Sequence, residues 1–107
     1  YNNSIPGSLK NGLDWLSRPS GEGLKTFGGK PVAVMGATPG GAGTLIAQDH
    51  LLTVLRAFQV QPWWGGRITL SRVDSLLDAD GHVLDAKLNE QLRSFMAGFA
   101  AYIEQIK

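Results

Sequence analysis

The sequence predicts an α/β fold built on a parallel sheet, and three observations carry that prediction. Helical and extended patterns alternate along the chain in the order helix, strand, helix, strand, helix. That order implies right-handed parallel crossovers. The clearest strand, Pro31-Val32-Ala33-Val34-Met35-Gly36, is a continuous apolar run rather than an alternating one, as in strands covered on both faces. The last helix carries a sustained apolar stripe of the kind that covers one side of a small sheet.

Taken in order, Ile5 to Ser17 has helical spacing, with Leu9, Leu13 and Leu16 at i, i+4 and i+7. Pro6 suits the first turn, where its missing N–H costs nothing, and Ser4 stands where a capping hydroxyl belongs. Lys10 and Asp14 pair at i, i+4, and Pro19 stops the helix. Ser20 to Lys30 contains Gly21, Gly23, Gly28 and Gly29 and reads as a surface loop. The strand at 31–36 follows. Ala37 to Gly43 is then a tight glycine-rich turn, and Thr44 to Gln59 is helical. Ala47, Leu51, Val54, Leu55 and Phe58 share one face of that helix. Leu45 and Leu52 lie off it, which suggests a second apolar contact such as a subunit interface.

Val60 to Trp64 is the second extended segment, and Pro62 argues for an edge position or an early end. Leu70 to Leu77 reads as a short helix before the turn Asp78-Ala79-Asp80-Gly81. Asp85 is placed to cap the last helix, whose stripe is Leu88, Leu92, Phe95, Phe99, Tyr102 and Ile106. At about 1.5 Å per residue it would run about 30 Å. Two parallel strands are too few for a buried parallel sheet. The count therefore predicts further strands supplied from outside Tyr1–Lys107. It also predicts that this stretch alone is unstable as a monomer, because an unpaired strand edge invites other chains.

Composition narrows the function. A chain of 107 residues is one domain at most. The net charge is +1 with no run of Lys or Arg, which argues against nucleic acid. No apolar run reaches the roughly 20 residues of a membrane span. With no Cys, disulfides, thiolate metal sites and Cys nucleophiles are excluded, and the chain fits the cytoplasm. The 14 glycines cluster in loops, the pattern of a backbone that approaches a ligand closely.

The motifs narrow it further. Gly36-Ala37-Thr38-Pro39-Gly40-Gly41-Ala42-Gly43-Thr44 has the outline of a phosphate loop, but Ala42 stands where a P-loop needs Lys. A dinucleotide fingerprint needs a third glycine where Ile46 stands. The turn is therefore either a plain strand-to-helix connection or a ligand loop placed by its position at a strand's carboxyl end. His50 and His82 are too far apart to suggest a metal pair. Asp78–Gly81 lacks the glycine and glutamate spacing of a calcium loop. Trp63-Trp64 either stacks on a substrate or packs in a core or interface. No catalytic residue and no metal ligand emerges.

Two segments together resemble the NAD(P)H-dependent FMN reductases, the family of the bacterial quinone and chromate reductases. Its members carry Pro-x-Tyr-Asn-x-Ser-x-Pro-x-x-Leu-Lys-Asn-Ala-x-Asp-Trp. Here Tyr1, Asn2, Ser4, Pro6, Leu9, Lys10, Asn11, Asp14 and Trp15 stand in register, with Gly12 in place of Ala. Gly36-Ala37-Thr38-Pro39-Gly40-Gly41 resembles the family's run that lies against the flavin ring.

The resemblance implies a flavodoxin-like three-layer sandwich with a parallel sheet. Residues 1–107 would form the C-terminal part of a single FMN-binding domain, since nothing here corresponds to the family's Gly-Ser-x-Arg-x-x-Ser phosphate loop. It implies FMN as cofactor and NAD(P)H as co-substrate. A quinone, flavin, azo compound or metal oxyanion would be the electron acceptor. It nominates Tyr1, Asn2, Ser4, Ala37 and Thr38 as FMN contacts, with Tyr1 shielding one face of the ring. A backbone N–H near Ala37 or Thr38 would donate to the ring. It also implies a homodimer or homotetramer, although Trp63 replaces a Glu that relatives often carry. The redox chemistry would belong to the cofactor, so no general acid or base is required. The alternatives are a flavodoxin-like electron-transfer module without nicotinamide turnover, or a fragment that is inactive by itself.

Overall fold

The computed structural model describes residues 1–107. The helices are α1 (Gly7–Leu16), α2 (Glu22–Phe27), α3 (Leu45–Ala57) and α4 (Ala86–Ile106). The strands are β1 (Pro31–Val32), β2 (Met35–Ala37), β3 (Gln61–Pro62) and β4 (Ile68–Leu70), and a 3₁₀ turn spans Val73–Leu76. Both strand pairs are parallel. β1 pairs with β3, Pro31 opposite Gln61, and β2 pairs with β4, Gly36 opposite Thr69. The expected single strand at 31–36 is thus two short strands that exchange partners across Ala33-Val34. Within residues 1–107 the segment is half-buried and Met35 is 52% exposed. The chain divides into two compact units, Tyr1–Val32 with Leu45–Pro62 and Ala33–Thr44 with Trp63–Lys107.

In the first unit, α1 begins two residues later than a cap at Ser4 would place it. Pro6 is the N-cap and no side chain caps the helix. The missing proline N–H removes a donor that a cap would have served, which frees the Ser4 hydroxyl for another partner. Lys10 and Asp14 pair at 2.8 Å as expected. The expected loop at 20–30 contains α2 instead. Gly21 enters it at φ 93°, a left-handed conformation that glycine adopts without steric cost. Gly23 is buried because an added Cβ would lie 3.2 Å from the Phe58 ring. Phe27 then stacks on Phe58 at 4.7 Å. Tertiary packing on Phe58 overrides the poor helix propensity of this stretch. Leu55 and Phe58, the buried end of the predicted α3 face, form the core of this unit.

In the second unit, β4 occupies residues expected to precede a helix, and the helix shrinks to the 3₁₀ turn at Val73–Leu76. Ile68 is 2% exposed, so burial at one position decides the strand. α4 is as predicted. The Asp85 carboxylate accepts from the Lys87 N–H at 2.9 Å, and Leu88 and Phe95 are buried. Its stripe seats on the segment leading into β4. Trp63 meets Phe95 edge-on at 5.1 Å and Phe99 at 5.9 Å, and the Gln91 amide donates to the Arg67 carbonyl at 3.4 Å. Gly66 is required there, since a Cβ would lie 2.9 Å from the Phe95 ring. No helix is long and apolar enough to cross a membrane.

Candidate functional site

The first candidate segment is a closed turn in the first unit. The Ser4 N–H donates to the Tyr1 carbonyl at 2.9 Å. Asn2 and Asn3 sit at φ 50° and 64°, as in the mirror-image hairpin turns that asparagine tolerates. Within residues 1–107 the Tyr1 side chain is 86% exposed. The Ser4 hydroxyl is 2.9 Å from Nδ1 of His50, 46 residues away on α3. Local spacing assigned Ser4 to the helix cap, and nothing in either local pattern signals the His50 partner.

The second segment lies at the carboxyl ends of β2 and β4. The Thr38 N–H donates to the Leu70 carbonyl at 3.0 Å and the Val73 N–H to the Thr38 carbonyl at 3.0 Å. The Arg72 N–H donates to the Gly40 carbonyl at 2.9 Å. Within the turn, the Gly40 N–H donates to the Thr38 hydroxyl at 3.2 Å. Four bonds therefore fix an exposed, glycine-rich stretch of backbone. The Thr38 N–H, expected to face a ligand, is already taken by Leu70 and extends the sheet ladder. Gly36 must be glycine, since a Cβ would run into the side chain of Thr44, 2.7 Å from its Cβ. Arg72, at φ 49°, lays its guanidinium over Gly41, where a Cβ would come within 3.1 Å of it. Sequence reasoning did not single out Arg72, because its place over the turn depends on the β4 register.

Residues 1–73 match the family model described as NADPH-dependent FMN reductase. The chain belongs to that family. It is 38% identical over 103 residues to the 2-hydroxy-1,4-benzoquinone reductase of Burkholderia sp, covering 96% of this chain and 55% of the relative. It is 35% identical to an NAD(P)H-dependent FMN reductase of Pseudomonas aeruginosa, covering 100% of this chain and 56% of the relative. It is 32% identical to the quinone reductase of Escherichia coli strain K12, again over 100% and 56%. The solved flavoenzyme NAD(P)H:(acceptor) oxidoreductase FerB of Paracoccus denitrificans superposes with a TM-score of 0.79 at 33% identity. That match covers 98% of this chain and 57% of FerB. The chain thus spans about half the length of the curated relatives it matches. The fold is the flavodoxin-like α/β fold of this family, and FMN with NAD(P)H as electron donor is the family's cofactor chemistry.

Taken separately, each segment carries one kind of group that an isoalloxazine needs. An isoalloxazine needs a flat surface against one face and fixed polar backbone at its edge. The exposed Tyr1 side chain and the pinned Thr38–Gly41 backbone are groups of those two kinds.

The remaining polar cluster is structural. Asp78, Asp80 and His82 bring their ligand atoms within 4.8 Å of one another, but Oδ1 of Asp78 is committed to the turn. It accepts from the N–H groups of His82 and Asp80, each at 2.9 Å. Those donors, His82 foremost, hold the Asp78 carboxyl below its ordinary value. A shallow cavity of about 470 Å³ lined by Trp63, Gly98 and Tyr102 contains none of the five predicted flavin residues. Trp63 lies against Phe95 and Phe99 as packing, whereas Trp64 is 64% exposed.

Proposed function

We propose that the protein is an NAD(P)H-dependent FMN oxidoreductase and that Tyr1, Asn2, Ser4, Ala37 and Thr38 hold the flavin ring. The observation that carries this reading is the pinned glycine-rich backbone at the carboxyl ends of two parallel strands, where open α/β sheets bind their ligands. Bound FMN would supply hydride acceptance from the nicotinamide and electron delivery to the acceptor. The chain's own part is binding and orientation. The aromatic face of Tyr1 covers the ring and excludes water. The Thr38–Gly41 backbone, held by Leu70, Arg72 and Val73, offers fixed dipoles to the ring edge and needs no reorganisation on binding. Ala37 and Thr38 are small enough to let the ring approach.

A quinone is the favoured acceptor, because relatives at 38% and 32% identity are named for quinone reduction. Free flavin, an azo compound or a metal oxyanion are the acceptors to compare with it. The protein works as a homodimer or homotetramer, and a supply of reduced nicotinamide suits a cytoplasmic setting.

The test is to purify the full-length protein, measure bound FMN by absorbance, and add NADPH or NADH without oxygen. Bleaching of the flavin, followed by reoxidation with a benzoquinone, is the expected result. A colourless protein that takes up no added FMN would overturn the reading. A yellow protein that neither nucleotide bleaches would make it an electron-transfer module instead. Replacing Thr38 and Pro39 together by phenylalanine is expected to weaken FMN retention at least tenfold, about 1.4 kcal/mol. Unchanged affinity would remove these residues from the site.

A further inference from the structure

We infer that His50 is a positioning residue for the flavin, acting through its hydrogen bond to Ser4. The inference rests on the proposed flavin role of the Tyr1–Ser4 turn. Ser4 is free to make this bond because Pro6, not Ser4, is the N-cap of α1. Its hydroxyl is 2.9 Å from Nδ1 of His50. The Ser4 N–H closes the turn onto the Tyr1 carbonyl. One side-chain bond to Ser4 therefore fixes the residue on which the closing contact of the turn depends.

The turn needs such an anchor. Tyr1, Asn2 and Asn3 are all exposed, and two successive residues lie at positive φ. Short polar turns of this kind populate many conformations when nothing outside them holds them. α3 is a firm support, with Leu55 buried in the core of the same unit and Val54 half-buried one turn after His50. A turn held in its binding conformation loses less entropy when a ligand docks. His50 itself need not touch the flavin. Its effect is on how often Tyr1 and Asn2 stand ready.

A hydrogen bond of this kind is worth about a 3- to 10-fold change in an equilibrium constant. The experiment uses the full-length protein stripped of FMN and titrated with FMN, read by quenching of flavin fluorescence. His50→Ala and Ser4→Ala are each expected to raise the FMN dissociation constant about 3- to 10-fold. The double variant should be no worse than Ser4→Ala alone, because His50 acts only through the bond that Ser4→Ala already removes. His50→Asn, whose amide can occupy the place of Nδ1, should restore most of the affinity. Melting of the FMN-free variants separates positioning from general damage, and equal melting temperatures are expected. Unchanged FMN affinity in His50→Ala would overturn the inference while leaving the FMN reading intact. So would additive losses in the double variant, or a loss that His50→Asn does not repair. A wild-type protein that binds no FMN would overturn both.

Discussion

Asp78 organises its turn with a single carboxylate oxygen, which accepts two backbone N–H groups that the turn would otherwise leave to water. Both donors favour the charged form, so the native carboxyl titrates below its ordinary value of 3.8. A depressed native value means the stabilisation is complete above the unfolded value and is lost as the pH falls through the native one. Wild type and Asp78→Asn should therefore differ in urea stability at pH 7, with the gap closing below about pH 4. An equal gap at pH 7 and pH 3 would show that the charge is not what holds the turn. Residues of this kind were legible, because Asp-Ala-Asp-Gly is turn chemistry over four neighbouring positions. Ser4 and Thr38 were legible only in part. Their place in the flavin loops came from resemblance, but the partners that engage them, His50 and the Leu70 carbonyl, come from distant sequence that no local pattern couples.

At the scale of elements, the adjacent Trp63 and Trp64 divide cleanly. Trp63 packs edge-on to Phe95 and lies along Gly66, whereas Trp64 points its ring to solvent. Trp63→Ala is expected to cost about 3 kcal/mol through a cavity over α4. Trp64→Ala should stay within about 0.5 kcal/mol. Urea unfolding of the two variants checks this, and comparable losses would contradict the packing described. The same logic explains which elements could be read. α4 was legible to its cap because its apolar stripe is long and periodic. α2 was not, since four glycines between 21 and 29 spell a loop until the Phe27–Phe58 stack is known. β4 was missed for a related reason. Three residues carry no period, and only the burial of Ile68 identifies them.

For the whole molecule, the surface of the first unit is the feature to weigh. Leu9, Trp15, Leu16, Leu24, Leu45 and Ile46 are each between 43% and 73% exposed. Six large apolar side chains exposed in one compact unit are more than scattered surface residues require. Strands from outside Tyr1–Lys107 are expected to cover part of this surface. With a second copy proposed against the rest, light scattering of the full-length protein should give a mass of two or four subunits. Trp15→Glu with Ile46→Glu should lower it. A wild-type monomer would end the oligomer proposal. The α/β class was legible in the alternation of helix and strand, and its flavodoxin-like form in the two flavin-loop motifs. The splitting of the 31–37 strand was not, because hydrophobicity reports burial and is silent about which partner each half takes.

That split carries a consequence for how this chain can vary. The first half of the strand is registered by β3 and the second half by β4, so the intervening Trp63–Arg67 stretch is pinned at both ends by separate ladders. A residue gained or lost near the exposed Trp64-Gly65 would be absorbed between the ladders and would slip neither one. Length drift across lineages should therefore collect there. The glycine-rich turn after β2 would keep its register with Leu70 throughout.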